Sequence, residues 1–438
     1  MLQSLPYFKD KLLKGSLTLF VGNLVGSGCN YLFQFFMSRH LSVADFGAMN
    51  SLLSLLMVTG VPAMSILLVS AKYVSNFRAA AEVGKIRLFQ RKVLRKLASC
   101  GSGLLLLMLL SSPWVAAYLK IDSYTPVIIV FMLIFFSFLI PVNLGIVQGL
   151  QRFLTLGFLG GVSGFSRLVF GILLIVLGFS LNGAMTAILL SSLTLFLMPF
   201  YFLRDIPASD PGVDDLGIGV KRIIGYSTPV VLSSLGIMAL TNMDLILVKH
   251  YFPAEQAGVY ASVAVLGRTV FYFPGVIVMA MFPIVSESYA LSKNPSHLLK
   301  KALGVTILLA GLGLIVLFIV PDLMLSFLFG KTFSQGAPLL RMFSIAMFFV
   351  ALTNILANFH LAVERRWFLS YLLLGCTIEV ILIAFFHQRL ISVLVILVMI
   401  AFSVCALLMY ETLKLNLERS LIESPVLRQF SEIRRPFI

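Results

Sequence analysis

Five charged side chains lie inside long apolar segments of this sequence, and their types define the chemistry available there. The bases are Arg167, Arg268 and Arg341, and the acids are Asp244 and Glu379. A charge near the centre of a bilayer costs about 2.5–3.5 kcal/mol on insertion scales, so such residues usually face a protein interior or a wet cavity. A guanidinium there could bind an anionic ligand through its planar fork of donors. The acids could carry protons or ions, or could be permanent charge partners of the arginines.

The first apolar segment adds a stripe of polar side chains. Ser16, Asn23, Ser27, Asn30 and Gln34 recur at spacings that place them on one face of a helix. A polar face along a whole membrane span is expected to meet water or a polar ligand rather than lipid. The alternative is hydrogen bonding between helices through small and amide side chains.

A short junction between apolar segments occurs twice. In each copy a basic residue and a histidine are followed by a bend, an acidic residue and then a glycine. The basic residues of the two copies are 210 positions apart and the glycines 211. Two pairs of prolines keep nearly the same offset, Pro113 with Pro321 and Pro126 with Pro338. The shared offset predicts two homologous halves. The copies are Arg39-His40 with Asp45-Phe46-Gly47, and Lys249-His250 with Glu255-Gln256-Ala257-Gly258.

The composition is that of an integral membrane protein. Of the 438 residues, 59% are hydrophobic and 12% are charged, and the mean hydropathy is +1.01. These values are too apolar for a soluble domain of this length. About twelve stretches reach the roughly 20 apolar residues that a spanning helix needs, and alternating strand patterns are not seen. The four cysteines form no close Cys-x-x-Cys pair, so no disulfide framework, metal site or cofactor is expected.

We therefore predict an all-α membrane protein with 12 transmembrane helices in two six-helix lobes. The predicted spans are about 15–38, 47–70, 97–119, 126–149, 155–180 and 182–203, followed by 223–248, 257–282, 303–325, 337–360, 367–386 and 390–412. The predicted domains are an N-terminal lobe at 1–204, a cytoplasmic linker at 205–221, a C-terminal lobe at 222–413 and a cytoplasmic tail at 414–438.

The distribution of basic residues predicts the orientation. With both termini in the cytoplasm, the inner segments carry 25 Lys and Arg residues and the outer loops carry 5, as the positive-inside rule requires. The net charge of +15 then reflects this topology and an attraction to anionic inner-leaflet lipid. No basic soluble domain is present to hold a nucleic acid. Arg341 lies within about two turns of the predicted outer end of its span, so it could instead extend its head group to the interface.

Three motifs together resemble those of the bacterial polysaccharide and O-antigen flippases. These flippases are the oligosaccharidyl-lipid branch of the multidrug/oligosaccharidyl-lipid/polysaccharide (MOP) exporter superfamily, and the resemblance covers nearly the whole chain. It implies two lobes related by an axis along the membrane normal, a central cavity and alternating access by rocking of the lobes. The motifs are Arg39…Asp45-Phe46-Gly47, Gln148-Gly149-Leu150-Gln151-Arg152-Phe153 and Asn242-x-Asp244…Gly258-x-Tyr260.

The resemblance implies a substrate, a location and partners. The substrate would be a polyprenyl-diphosphate-linked oligosaccharide, flipped across the bacterial inner membrane for cell-surface polysaccharide synthesis, with membrane lipids and polysaccharide polymerase or export proteins as partners. The expected cavity residues are Arg167, Arg268 and Arg341 for the diphosphate, and Asn23, Asn30 and Gln34 for sugar hydroxyls.

The repeated junction is where the resemblance places an outer gate between the lobes. We predict that Arg39, Asp45, Lys249 and Glu255 help to close this gate by exchanging partners across the lobes. The alternative is that each pair only fixes its own bend, because exposed ion pairs contribute about 0–1 kcal/mol.

Two other functions remain open at this point. A multidrug exporter of the same superfamily would expel organic cations, for which acids in the cavity are expected, but the first six spans hold no acid near their middle. A membrane glycosyltransferase or polymerase needs a loop large enough for a catalytic constellation. The predicted outer loops are too short for one, and the five histidines show no ligand spacing.

Overall fold

A computed structural model of the protein describes residues 5–80, 82–207, 220–291 and 295–422. Every regular element within these ranges is helical, which confirms the predicted all-α fold. Positions 208–219 of the predicted linker and 423–438 of the predicted tail lie outside the described residues.

The described part of the first half of the chain consists of eight helices. They are α1 (Leu5–His40), α2 (Val43–Thr59), α3 (Pro62–Ala79), α4 (Val83–Leu110), α5 (Ser112–Tyr118), α6 (Thr125–Gly149), α7 (Phe153–Val176) and α8 (Ser180–Phe202).

The described part of the second half contains nine α-helices and one short 3-10 helix. They are α9 (Val220–Tyr251), α10 (Ala254–Gly267), α11 (Thr269–Tyr272), α12 (Gly275–Ala290), α13 (Ser296–Ile319), α14 (Pro321–Leu328), the 3-10 helix (Lys331–Gly336), α15 (Ala337–Ala362), α16 (Phe368–Phe385) and α17 (Leu390–Ile422).

The helices follow the order of the twelve predicted spans. Within the described residues, ten helical segments are long and apolar enough to cross a membrane, and α2 with α3 makes an eleventh if this bent pair is one span. Helix α1 is outside that set because Asn23, Asn30 and Gln34 lower its hydropathy. The count is therefore compatible with twelve spans.

The second span of each half is interrupted, which hydropathy alone did not predict. Helices α2 and α3 meet at a bend of 47°, where Gly60 ends α2 and Pro62 begins α3. The corresponding span of the second half is interrupted at Arg268 and again before Gly275, so that it consists of α10, α11 and α12. Proline at the first turn lacks only an N–H that the helix would leave unpaired.

The third span of each half ends in a second, shorter helix. Pro113 lies at the beginning of α5, and Pro321 begins α14. These are the two prolines whose shared offset indicated the repeat, so the structure assigns them the same local role in both halves.

The chain divides into two compact units, each built around a central helix. The first unit consists of Met1–Val231, Leu245–Ser262 and Leu325–Gln335. Its central helix is α6, which packs against α3, α4 and α8, while α7 packs along α1 and α8. The second unit consists of Leu232–Asp244, Val263–Met324 and Gly336–Ile438. Its central helix is α15, which packs against α12, α13 and α17.

Candidate functional site

In the first unit, glycines bring α1 and α7 into backbone contact. A Cβ atom added to Gly22 would lie 2.1 Å from the carbonyl oxygen of Gly157, and one added to Gly164 would lie 2.3 Å from that of Gly26. Small residues at such positions let two membrane helices approach closely. The sequence of both helices therefore fixes which of their faces meet.

This packing places Arg167 and the polar stripe on the facing sides of the two helices. Arg167 lies three residues after Gly164 on α7, and Asn30 lies four residues after Gly26 on α1. Residues three and four apart share a helix face. Further along, Gly171 of α7 packs on the ring of Phe33, which continues the same contact past Arg167.

Three polar atoms on these faces have no hydrogen-bond partner among the described residues. They are Nε of Arg167, Oδ1 of Asn30 and Oε1 of Gln34, and all three atoms are buried. Asn23 is exposed and lies near Gly160, since a Cβ there would be 3.0 Å from its Oδ1. A buried polar group without a partner is costly, so these three atoms mark a candidate place for a polar ligand or water on the two faces. We call Asn23, Asn30, Gln34 and Arg167 the α1–α7 polar face.

In the second unit, Arg268 is paired with an acid. Its Nη2 donates to Oδ1 of Asp244 at 3.4 Å, and the side chains are 8% and 0% exposed. Arg268 occupies the interruption between α10 and α11, and Asp244 lies on α9. Its Nε remains buried without a partner among the described residues. Removing one member of such a pair would leave a buried charge.

Glu379 of α16 is a second buried acid in this unit. It is 2% exposed, its Oε1 has no partner among the described residues, and it interacts electrostatically with Asp244. One turn before it, the thiol of Cys376 donates to the carbonyl oxygen of Gly236 on α9 at 3.2 Å. This contact joins α16 to α9 and brings the two acids together. The group formed by Asp244, Arg268 and Glu379 is called the charge triad below.

The third arginine of the spans lies apart from the triad. Nε of Arg341 donates to the carbonyl oxygen of Phe318 at 3.1 Å, and its guanidinium lies 6.0 Å from the centre of the Phe318 ring. Phe318 is in the last turn of α13, where unpaired carbonyl groups favour a cation. A local structural partner therefore holds Arg341.

The two copies of the repeated junction meet at their glycines within the first unit. A Cβ added to Gly47 of α2 would lie 2.8 Å from Cα of Gly258 of α10. A Cβ added to Gly258 would lie 1.9 Å from the carbonyl oxygen of Val43. The glycines recognised as repeated in the sequence are thus each other's neighbours, which the spacing alone did not predict. We call residues 38–47, 245–258 and 325–333 the outer junction, after the predicted topology.

The charged residues of the outer junction have individual environments. Arg39 donates to the carbonyl oxygen of Phe327 at 2.5 Å. The Asp45 carboxylate accepts from the hydroxyl of Ser42 at 2.9 Å, and Ser42 caps α2 by accepting from the backbone N–H of Asp45. Lys249 is 2% exposed. The exposed Glu255 lies in the first turn of α10.

One electrostatic interaction at the outer junction connects the two copies. The charge of Lys249, from the second copy, interacts with that of Asp45, from the first copy, and also with that of Asp122. Among the described side chains, neither Arg39 with Asp45 nor Lys249 with Glu255 forms an ion pair. The exchange of partners at an outer gate stays a prediction.

Aromatic side chains pack against one another at the outer junction, and sequence reasoning missed these contacts. The ring of Phe46 lies 5.9 Å from that of Phe329 and 5.6 Å from that of Phe333. His250 stacks on Tyr118 with ring centres 3.9 Å apart, and its Nδ1 donates to the Tyr118 carbonyl oxygen at 2.7 Å. His250 was part of the repeated motif, but no local signal marked its distant partners.

The sequence matches one protein family over most of its length. Residues 12–289 match the family model described as polysaccharide biosynthesis protein, which is more than half of the chain. No curated protein matches the sequence.

Several solved structures share the fold at low sequence identity. An inward-facing multidrug resistance MATE family transporter of the MOP superfamily has a TM-score of 0.73 at 13% identity, covering 91% of this chain and 99% of its own. The lipid II flippase MurJ, in an inward closed conformation, has a TM-score of 0.69 at 15% identity, covering 91% and 87%. A MOP superfamily transporter from Pyrococcus furiosus has a TM-score of 0.59 at 15% identity, covering 92% and 95%.

These matches agree with the two-half helical architecture and with the resemblance seen in the motifs. At such low sequence identity, the solved structures show only the fold. The match to the family model shows to which family the chain belongs. The chain belongs to the polysaccharide biosynthesis protein family and has the fold of the MOP transporter superfamily.

Proposed function

We propose that this protein flips a polyprenyl-diphosphate-linked oligosaccharide from the cytoplasmic to the outer leaflet by alternating access, for cell-surface polysaccharide synthesis. The single observation that carries the proposal is the α1–α7 polar face. There, Arg167 and two amide side chains present buried polar atoms without partners among the described residues. Membership of the polysaccharide biosynthesis family supports the choice of substrate class.

The chemistry of this task matches the side chains of the polar face. A lipid-linked oligosaccharide must move a diphosphate and several sugars through hydrocarbon while its polyprenyl chain remains in lipid. Arg167 supplies a permanent positive charge and a planar fork for the diphosphate. The amides of Asn30 and Gln34 hydrogen-bond sugar hydroxyls, and binding through a few adaptable groups stays weak enough for release.

The charge triad has a different role in this proposal. Because Arg268 is already paired with Asp244, its charge is less available to a substrate than that of Arg167. Glu379 then provides an ionisable group for coupling to a proton or cation gradient, with Asp244 as its charge neighbour. Ionisable groups inside membrane transporters commonly serve such relays.

The outer junction acts as the outer gate in the same scheme. The contact of Gly47 with Gly258, the phenylalanine cluster and the interaction of Lys249 with Asp45 must separate for the substrate to leave. Most of these contacts are apolar or involve backbone atoms, so the gate separates without leaving several buried charges unpaired.

The test is mass spectrometry of lipid extracts from cells that lack the protein. The proposal predicts that a polyprenyl-diphosphate-linked glycan accumulates and that expression of the wild-type protein clears it. Unchanged levels of every lipid-linked glycan, with normal cell-surface polysaccharide, would exclude the proposal.

A cation-coupled multidrug exporter is the second candidate, and the acids of the triad favour it. Two acids, Asp244 and Glu379, lie beside one arginine, and carboxyl groups are the side chains expected to bind an organic cation. An exporter predicts that the same cells become more susceptible to cationic drugs while their lipid-linked glycans stay unchanged. The two measurements on one strain therefore separate the candidates.

A further inference from the structure

The turns that follow the central helices α6 and α15 have the same backbone conformation. Gln151 and Glu364 both adopt a left-handed conformation, with φ of 58° and 57°. The next residues, Arg152 and Arg365, donate their backbone N–H to a carbonyl oxygen five residues earlier, at 3.1 and 3.0 Å. This is the hydrogen-bond pattern of a helix C-terminal cap. Arg152 and Arg365 are therefore equivalent positions of the repeat.

In the first unit, the guanidinium of Arg152 pairs with an acid of the same chain. Nη1 of Arg152 donates to Oδ1 of Asp205 at 3.0 Å, and its Nη2 donates to Oδ2 of the same carboxylate. Nη1 also donates to the carbonyl oxygen of Phe202 at 2.5 Å. At this turn, the two terminal nitrogens of the arginine guanidinium thus bind a group that has two anionic oxygens.

In the second unit, the equivalent arginine lines an open cavity. The cavity has a volume of about 380 Å³. No described acid forms an ion pair with Arg365. A second base, Lys414 of α17, contributes to the same wall. Arg365 and Lys414 therefore line a cavity next to this turn. At the equivalent turn of the first unit, the Asp205 carboxylate pairs with Arg152.

The other lining side chains make the cavity amphipathic. Trp367, at the start of α16, is 74% exposed, and Phe368 and Tyr371 form the adjoining wall. The one acid in the lining, Glu411, accepts a hydrogen bond from the Tyr371 hydroxyl at 3.2 Å. Tryptophan and tyrosine are typical of the level of lipid head groups in a membrane.

We infer that this cavity binds a phosphate group through Arg365 and Lys414, and that the phosphate belongs to an anionic phospholipid of the leaflet predicted to be cytoplasmic. Basic pockets between membrane helices on that side are suited to lipid head groups. Trp367 then packs against the glycerol and upper acyl region of the same lipid. The inference does not depend on the proposed transport substrate.

The test measures lipid retained by purified protein. Wild-type protein and variants are reconstituted into nanodiscs of phosphatidylcholine with a minor fraction of phosphatidylglycerol, extracted into neutral detergent, and analysed by native mass spectrometry. The double variant Arg365→Gln Lys414→Gln should retain at least about tenfold less phosphatidylglycerol, since the loss of even one charge-assisted hydrogen bond accounts for that factor. The control Lys300→Gln Lys301→Gln removes two exposed bases of α13 and should retain the wild-type amount.

A second arm distinguishes the source of the phosphate. Inorganic phosphate is titrated into protein that carries only phosphatidylcholine, and binding is measured by calorimetry. A phospholipid site predicts no saturable binding of inorganic phosphate at millimolar concentration. Saturable binding that the Arg365→Gln Lys414→Gln variant abolishes, with no retained phosphatidylglycerol, would assign the site to free phosphate.

Two results would overturn the inference altogether. One is equal phosphatidylglycerol retention by the double variant and the wild type, and the other is an equal loss in the Lys300→Gln Lys301→Gln control. Because Arg365 and Lys414 are both exposed, their replacement is not expected to unfold the protein. The single variants provide the same comparison if the double variant is unstable.

Discussion

Arg167 and Arg268 are the same residue type in opposite halves of one repeat protein, and their surroundings differ. Arg268 lies 3.4 Å from the fully buried Asp244, with Glu379 close enough to interact with that acid. Arg167 has no acid partner among the described residues and lies among glycines and amides. One arginine thus belongs to an internal charge cluster, and the other has no acid beside it in the described part of the chain.

This difference shows that a repeated scaffold can hold the same residue type in two electrostatic environments. The halves share their spans, their interrupted second helices and their proline-initiated short helices, because these features depend on backbone geometry. The charged residues differ between the halves, because the position of a charged side chain depends on the ligand or the ion-pair partner that it contacts. A transporter needs both a group that meets the substrate and a group that responds to the driving ion, and we assign these to the first and second units respectively.

The largest expected effect on stability comes from breaking the pair in the second unit. Arg268→Ala leaves Asp244 buried beside Glu379 without its cation, so the free energy of unfolding should fall by about 3–5 kcal/mol. The double variant Arg268→Ala Asp244→Asn should regain most of that loss, because no uncompensated charge remains. Thermal unfolding of the purified protein in detergent measures both.

The matched variant in the first unit sharpens this comparison. Arg167→Ala removes a guanidinium that has no acid partner in the described chain. The unfolding temperature of this variant should therefore differ from that of the wild type no more than it does for a neutral substitution. Equal destabilisation by Arg167→Ala and Arg268→Ala would show that the two arginines are not in different electrostatic situations.

A smaller effect is expected where the halves are alike, at the glycine contact of the outer junction. Gly258→Ala puts a Cβ 1.9 Å from a backbone oxygen, and overpacking of this kind costs about 1–3 kcal/mol. Gly47→Ala should cost less, because its nearest contact is at 2.8 Å. Unfolding temperatures and glycan clearance in cells are the measurements.

Gly28 provides the control for this contact. A Cβ at Gly28 would meet nothing within 4 Å, so Gly28→Ala should leave stability unchanged or slightly raise it. If Gly258→Ala were as stable and active as Gly28→Ala, the two copies of the junction would not be in contact.

The smallest effect concerns the turn arginine of the first unit. The hydrogen bonds from Arg152 hold the pKa of the Asp205 carboxyl below its usual value. A lowered folded-state pKa means that the pair stabilises the protein above the unfolded pKa, near 4, and that this stabilisation is lost as pH falls through the folded pKa. The pair is exposed, so the contribution should be below about 1 kcal/mol.

The pH dependence of Asp205→Asn checks this assignment. Its unfolding temperature should lie slightly below that of the wild type at pH 7, and the difference should shrink as pH falls below about 4 and vanish once the pH is below the folded-state pKa. A difference that stays constant across this range would mean that the carboxylate charge does not contribute.

Much of the fold followed from the sequence because hydropathy and a repeat are local or periodic signals. The apolar lengths predicted the helices and their order, and the offset between Pro113 and Pro321 identified equivalent positions, which the structure places at the beginnings of two short helices. Hydropathy reports only that a segment is apolar, so it could not show that the second span of each half is interrupted. The left-handed backbone at Gln151 and Glu364 was not predicted either, because neither residue is the glycine that usually marks such a turn.

The candidate site was predicted less completely because contacts between distant segments leave no local pattern. The polar stripe of α1 was visible as a periodicity, but its position against Arg167 depends on the glycines of both helices. The partners of the outer junction, such as Phe329 and Tyr118, come from other parts of the chain. The sequence identified Arg268 and Asp244 as candidate partners, and only the structure showed that Arg167 has no equivalent acid among the residues that it describes.

The most direct test of the central claim is the initial rate at which a polyprenyl-diphosphate oligosaccharide crosses the bilayer of proteoliposomes. We predict that Arg167→Ala lowers this rate by at least about 100-fold, the effect of losing about 2.7 kcal/mol of charge-assisted binding. Arg167→Lys should recover part of it, because lysine keeps the charge but not the fork. The double variant Arg268→Ala Asp244→Asn should still transport. A rate for Arg167→Ala above half that of the wild type, in protein of unchanged stability, would contradict the claim that Arg167 meets the substrate diphosphate.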